Sequence, residues 1–493
     1  MRKKLIVPIL IVALCMSGCS AQTKSTKDSS EDSQTDKTYT CDEGDSHAIE
    51  ADGNEETYQN VEVKKTGDSE GDDADFYGSN AAVFATNGAT LNISDSQIKT
   101  DGVHANGAFS YGEGTTLNIS NSTIETEKAT SGGVMVTGGG TLNATNLTVT
   151  TKSGSSAPIR SDRGGGQLNV KGGDYKSYGS GSPVIYSTAE INVEDATLYA
   201  DIAEAVVVEG KNSVTITNSD VTGKNTTHNS DKADVYRNVM IYQSMSGDSE
   251  EGKGEFTMKD GNLTARNGVM FFVTNTIADI NLENVNLEYA SDDLLRIEKA
   301  GWGNEGSNGG QVTFNATKQS LNGNIIVDDI STLNMYLKDG SSFEGSIASE
   351  GKCYVELDSD SIWTLTADTE IDALTCDEDS IKLNGHVLKV NGKVYGEGTK
   401  SKGDAIEITV PTSTGMDQMP PGDGNMEPPE KPEGMNDGKK PPEKPEGMNN
   451  GEEPPEKPEG MNNGEELPEK PEGMNNGEEP PEKPGDMKNG TET

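Results

Sequence analysis

One short segment recurs along this chain. Gly88 to Ile98 reads GATLNISDSQI and Gly114 to Ile124 reads GTTLNISNSTI. Gly140 to Leu147 (GTLNATNL) and Gly166 to Val170 (GQLNV) repeat its first half, and weaker copies begin at Ile191, Val214, Phe256, Ile280, Val312 and Leu333. Measured from Leu91, the first spacings are 26, 25, 26, 23 and 23 residues, and later ones of 42 and 32 read as regular turns carrying insertions. Within a copy, Leu91 and Ile93 alternate around Asn92, so they share one face of an extended strand. Ser94, Asp95 and Ser96 then supply turn chemistry, and Ile98 opens a second inward strand. Asn92, Asn118, Asn143, Asn169, Asn192, Asn281 and Asn334 recur at one position of the coil and are expected to form a structural polar ladder. A period in the twenties with short alternating strands signals a solenoid in which stacked coils bury one another's apolar face. The expectation is an all-β fold, a right-handed parallel β-helix, with coils about 4.8 Å apart and a rod of about 55–65 Å.

Composition agrees. Only 31% of the 493 residues are hydrophobic and 58 are Gly, too poor an inventory for ordinary compact cores. A solenoid needs few inward side chains per repeat. The formal charge of −43 argues against nucleic acid as a partner, because phosphate neutralisation requires Lys and Arg.

The chain divides into four stretches. Residues 1–18 have the basic start and apolar run of a secretory signal, and Met16-Ser17-Gly18-Cys19 ends it as a lipoprotein cleavage site does. Cys19 is the expected lipidation site, which would place the mature protein on the extracellular face of the cell membrane. Residues 19–44 read as a flexible tether, and residues 45–410 as the β-helix, closed by a cap from about Asp377. Residues 411–493 hold 17 of the 20 Pro and repeat Glu-Lys-Pro every 13 residues from Glu430. This acidic stretch lacks aromatic side chains and is expected to be disordered.

Three cysteines remain beyond Cys19: Cys41, Cys353 and Cys376. Cys353 and Cys376 lie one coil apart in sequence, where they could stack and bridge.

Candidates for chemistry are sparse. Gly67, Ser69 and Gly71 match the nucleophile-elbow string, but Asp72, Asp73 and Asp75 follow without a helical period or paired His. The acids Asp68, Asp72, Asp73 and Asp75, and the pair Asp292 and Asp293, could bind calcium, which prefers several oxygen ligands. Arg160 and Arg163 flank Asp162 on one turn. The insertions at Lys224–Lys253 and Lys299–Gln311 hold Tyr236, Arg237, Tyr242 and Trp302; insertions on solenoids tend to carry function. Exposed rings there would stack on sugar, and the alternative is that they fold back on the rod as a lid.

Together, the lipidation motif, the Gly-x-Thr-Leu-Asn-Ile coils, Trp363-Thr-Leu near the cap and the acidic Pro-rich tail resemble adhesin-like, carbohydrate-binding β-helix (pectin-lyase-like) surface lipoproteins of Gram-positive anaerobes. The resemblance implies a cell-surface location and a polysaccharide or host-glycan ligand, with calcium as an optional cofactor, and transfers no binding residue. A catalytic alternative, polysaccharide lyase or glycoside hydrolase, rests on Asp292, Asp293 and Arg296-Ile297-Glu298, which match the hydrolase pattern only in part; a structural spacer is a third reading.

Overall fold

The computed structural model describes residues 34–35, 37–228 and 230–408. The expected signal segment, Cys19, most of the tether and the tail from 411 onward lie outside these residues.

One complete coil shows how the sequence makes the fold. Thr90–Ser94 forms a first face, Gln97–Thr100 a second and Ala108–Tyr111 a third. Leu91, Ile93 and Ile98 are buried inside, as alternation requires. Asp95 turns the corner between the first two faces at φ 52°, and Asn121 and Asn146 repeat that left-handed conformation in the next coils. Asp and Asn tolerate it because their short side chains bond locally. Each strand pairs in parallel with its equivalent one coil later: Leu91 faces Leu117, and Leu117 faces Leu142. The first and second faces merge into one sheet of 20 strands, and the third face forms a parallel sheet of 12. The architecture is therefore a parallel β-helix, on the order of 50 Å along its stacking direction.

The core is a continuous stack from Ile49 to Tyr395. Ordered structure starts before the tether boundary at 44: Thr38–Cys41 pairs in parallel with Glu62–Lys65. At the other end, Leu388–Val390 still stacks in parallel on Thr369–Ile371, and Lys393–Val394 then returns antiparallel. The chain runs back over the last coils, bridging Cys376 to Ser401 and joining the Ile406 backbone to the Asn334 amide. This return occupies the cap expected from Asp377.

Three details of the sequence reading need correction. Ile280 faces Phe314 and Phe314 faces Met335, so the later copies are in register at Phe314 and Met335, not at Val312 and Leu333. The Lys224–Lys253 insertion is two insertions around a regular third-face strand, Arg237–Tyr242. Cys353 falls opposite Asp372 in the next coil, four positions short of Cys376. That offset is roughly 13 Å along a strand, beyond disulfide reach, and Cys353 and Cys376 are buried free thiols.

Candidate functional site

On the third face, outward positions are as telling as inward ones. The register Phe84–Phe109–Met135–Arg160–Tyr186 continues through Val207, Met240 and Phe272. Phe109, Met135 and Phe272 point away from the core yet are fully buried. The insertions cover them. Ala81 and Tyr111 close over the Phe84 end; Trp302, Ala233, Val235 and Ala300 close over the Phe272 end. Trp302 is 8% exposed, lies 5.3 Å from the Tyr242 ring and sits beneath Arg237, whose guanidinium is 5.6 Å from the indole. Arg237 also forms a buried ion pair with Glu204 at 2.9 Å. Tyr236 stacks on His228 at 4.2 Å. The exposed aromatic platform expected around Trp302 is not there: the rings fold back as a lid, because an apolar outward column needs covering.

Between the two apolar clusters lies a charged one. Arg160 bonds Asp75 at 3.3 Å and Asp162 at 3.0 Å, and His104 Nδ1 lies 3.0 Å from Asp75. Arg163 pairs with Asp248 at 2.9 Å and caps the Phe76 ring at 4.0 Å. Burial pushes the Asp162 carboxyl up to about 6 against the opposing pull of Arg160. The hydrogen bond from Asp75 raises His104. Next to this cluster, the Tyr186 and Tyr242 hydroxyls both donate to Glu209, at 2.5 and 2.9 Å. Arg160, Arg163 and Tyr242 are thus brought to one face, where Arg160 is buried glue between the rod and its covering segments and Arg163 a half-exposed clasp at their edge.

Of the acids expected to hold calcium, Asp68, Asp75 and Asp293 are taken up by protein partners, while Asp72 and Asp73 lie at the start of a one-turn helix. Asp68 accepts from the Val103 backbone at 2.8 Å, Asp72 starts the one-turn helix Asp73–Phe76, and Asp75 serves Arg160 and His104. Asp293 pairs with Arg296, which also grips Glu298 at 2.9 Å; the Asp292 carbonyl accepts from Asn324. Among the described residues no group of three or more His, Cys, Asp or Glu is placed to hold a metal ion. That one-turn helix does follow the Gly67–Gly71 string, contrary to the sequence reading. Ser69, however, donates to Asp45 rather than to a histidine.

The outside of the first face carries the polar ladder expected from the recurring asparagines, together with a flanking patch that sequence reasoning passed over. Asn92, Asn118, Asn143, Asn169 and Asn192 form a ladder in which each amide donates to the preceding one, at 2.9, 2.9, 2.9 and 3.2 Å. Asn315 donates to Asn281 in a second run, whereas Asn334, expected in the ladder, bonds the returning chain instead. Flanking columns hold Thr90, Thr116 and Thr141 on one side and Ser94, Ser120 and Thr145 on the other. Three successive coils thus present nine outward side chains, all uncharged amides or hydroxyls, on a chain of net charge −43. A groove of about 210 Å³ runs over Asn92, Ser94, Asn118, Ser120, Asn143 and Thr145. Charge returns in the next coils with Lys171, then Glu190 and Glu194. The signal was readable in the repeat itself, since the same positions that define the ladder define the patch.

Asn118, Asn143 and Asn169 each spend one N–H on the preceding amide and keep the other for solvent or ligand, whereas Asn192 also donates to Glu190 at 3.1 Å. Serine and threonine hydroxyls beside it both donate and accept. Such a surface matches a polymer of hydroxyls and repels neither neutral nor weakly charged ligands. Comparison of the chain with protein-family models, with curated proteins and with solved structures finds no match.

Proposed function

We propose that this protein is a non-catalytic, carbohydrate-binding rod of the cell surface, adhesin-like in role and held to the membrane by a lipid on Cys19. The observation that carries the reading is the neutral Thr-Asn-Ser patch on residues 90–145, set in a chain of net charge −43. Its ligand is a neutral polysaccharide or glycan lying in the groove, bound by amide and hydroxyl hydrogen bonds. The N-terminal lipidation motif and the resemblance to surface lipoproteins support the location. The catalytic alternative loses ground because Asp293, Arg296 and Glu298 are bonded to one another along a single strand.

The test is a glycan array probed with the purified protein and with Asn118→Asp. The substitution keeps size but puts a carboxylate into the ladder, facing the Asn92 oxygen that its amide now serves. Neutral glycan binding is expected to fall about tenfold or more, as an unsatisfied buried polar contact costs about 1–3 kcal/mol. Silence of the unsubstituted protein across neutral glycans sinks the proposal.

A further inference from the structure

We infer that Tyr178 and Tyr199 form a sugar-stacking subsite on the second face, distinct from the Asn groove; this rests on the reading of the rod as carbohydrate-binding.

With Trp302 and Trp363 buried, Tyr178 is the most exposed aromatic side chain among the described residues, at 43%. It does not sit on a loose loop. Its backbone N–H donates to Thr151 at 3.0 Å, and the Asp201 N–H donates to Ser177 at 2.9 Å, so two adjacent coils fix both ring positions. The rings lie 6.5 Å apart at 61°, giving an edge-to-face pair with the Tyr178 ring outermost. The Tyr199 hydroxyl donates to Asp201 at 2.7 Å, which holds its ring in place. Lys224 approaches the same carboxylate oxygen at 3.4 Å. Both contacts end on Oδ1, and the Asp201 side chain is 30% exposed. Its Oδ2 therefore retains lone pairs for an outside donor. On the other flank, Lys176 pairs with Asp174 at 2.9 Å.

A pyranose presents a face of C–H groups and a rim of hydroxyls. The negative face of a tyrosine ring attracts those C–H groups, and an adjacent carboxylate accepts from two neighbouring hydroxyls. Tyr178 beside Asp201, with Lys224 to donate, supplies this set on a rigid backbone with little ordering cost. Lys176 and Lys224 are each paired with an aspartate, and Arg266, which also acts on Tyr199, has no such pair among the described residues; the free Asp201 oxygen beside the ring nevertheless repels a carboxylate, which favours a neutral sugar over a uronic acid. The inferred ligand class is thus a neutral hexopyranose unit of a polysaccharide.

The experiment titrates the full-length protein, by calorimetry, with neutral gluco- and manno-oligosaccharides and with an acidic oligogalacturonide. Tyr178→Ala is expected to weaken neutral binding about tenfold, Tyr178→Phe to keep it, and neither to change the thermal midpoint. Loss of binding in Asn118→Asp with full retention in Tyr178→Ala overturns this subsite and leaves the groove standing. Binding of the acidic oligosaccharide alone, lost in Lys176→Ala or Lys224→Ala, also overturns it. If the unsubstituted protein binds no oligosaccharide, the functional reading falls with it.

Discussion

Replacing Asn118 with Ala removes an interior rung of the amide ladder while leaving the core untouched. Asn118 makes two inter-coil bonds, donating to Asn92 and accepting from Asn143, both at 2.9 Å. A net hydrogen bond contributes about 0.5–1.5 kcal/mol, and these half-exposed ones belong at the lower end, so the loss should be about 1–2 kcal/mol. Asn315, in the second run, makes a single inter-coil bond, donating to Asn281 at 2.9 Å, and Tyr336 follows it in the column. Asn315→Ala should therefore cost roughly half as much, about 0.5–1 kcal/mol. The double variant Asn92→Ala/Asn118→Ala shares one bond, so its cost should fall short of the sum of the singles by about 0.5–1 kcal/mol. Urea unfolding followed by far-ultraviolet circular dichroism measures the unsubstituted protein, the three single variants, Asn92→Ala among them, and the double variant, with unchanged slopes showing that the coil itself persists. Equal costs at Asn118 and Asn315, or strict additivity of the neighbouring pair, would refute the ladder as an energetic unit.

Other outcomes follow from the same coordinates. Trp302→Ala should cost about 3–5 kcal/mol, the range for truncating a buried aromatic, while leaving glycan binding intact; loss of binding at unchanged stability would restore it as a ligand platform. Raising pH should loosen the segment 66–80. Asp162, raised to about 6, stabilises fully below its ordinary 3.8 and loses that contribution as pH rises through 6; His104, raised from 6.5, holds Asp75 fully below 6.5 and releases it above its raised value. Protection from amide exchange in 66–80, with the intrinsic base-catalysed rate divided out, should fall as pH rises from about 4 to about 6 and again above 6.5, and Asp162→Asn should flatten the first of these falls. Cys41, Cys353 and Cys376 should all alkylate in denaturant without reductant, seen by peptide mass spectrometry; a protected Cys353–Cys376 pair would contradict the register.

Much of the architecture was legible in the chain. Leu91, Ile93 and Ile98 announced the inward positions, and Asp95 and Asn121 the left-handed corners, because alternation and turn preference are set by residues close together. Register over long range was not legible. Val312 and Phe314 both point inward, so alternation is unchanged by a slip of two residues, and only pairing with Ile280 decides between them. Trp302 likewise looked unsupported among glycines. Its partners Val207, Met240 and Phe272 lie on three earlier coils, and nothing local reveals that their outward faces form an apolar column.

Sequence alone determined the coil, its inward side chains and its turns, since each follows from alternation and local backbone preference repeated along the chain. It also marked the amide ladder, which recurs at one position of the coil; tertiary structure decided what the rest of the outside became, a covered column on the third face and a half-exposed tyrosine pair on the second. Those surfaces arise from residues more than twenty positions apart, and only stacking fixes which of them share a column and which are left to water.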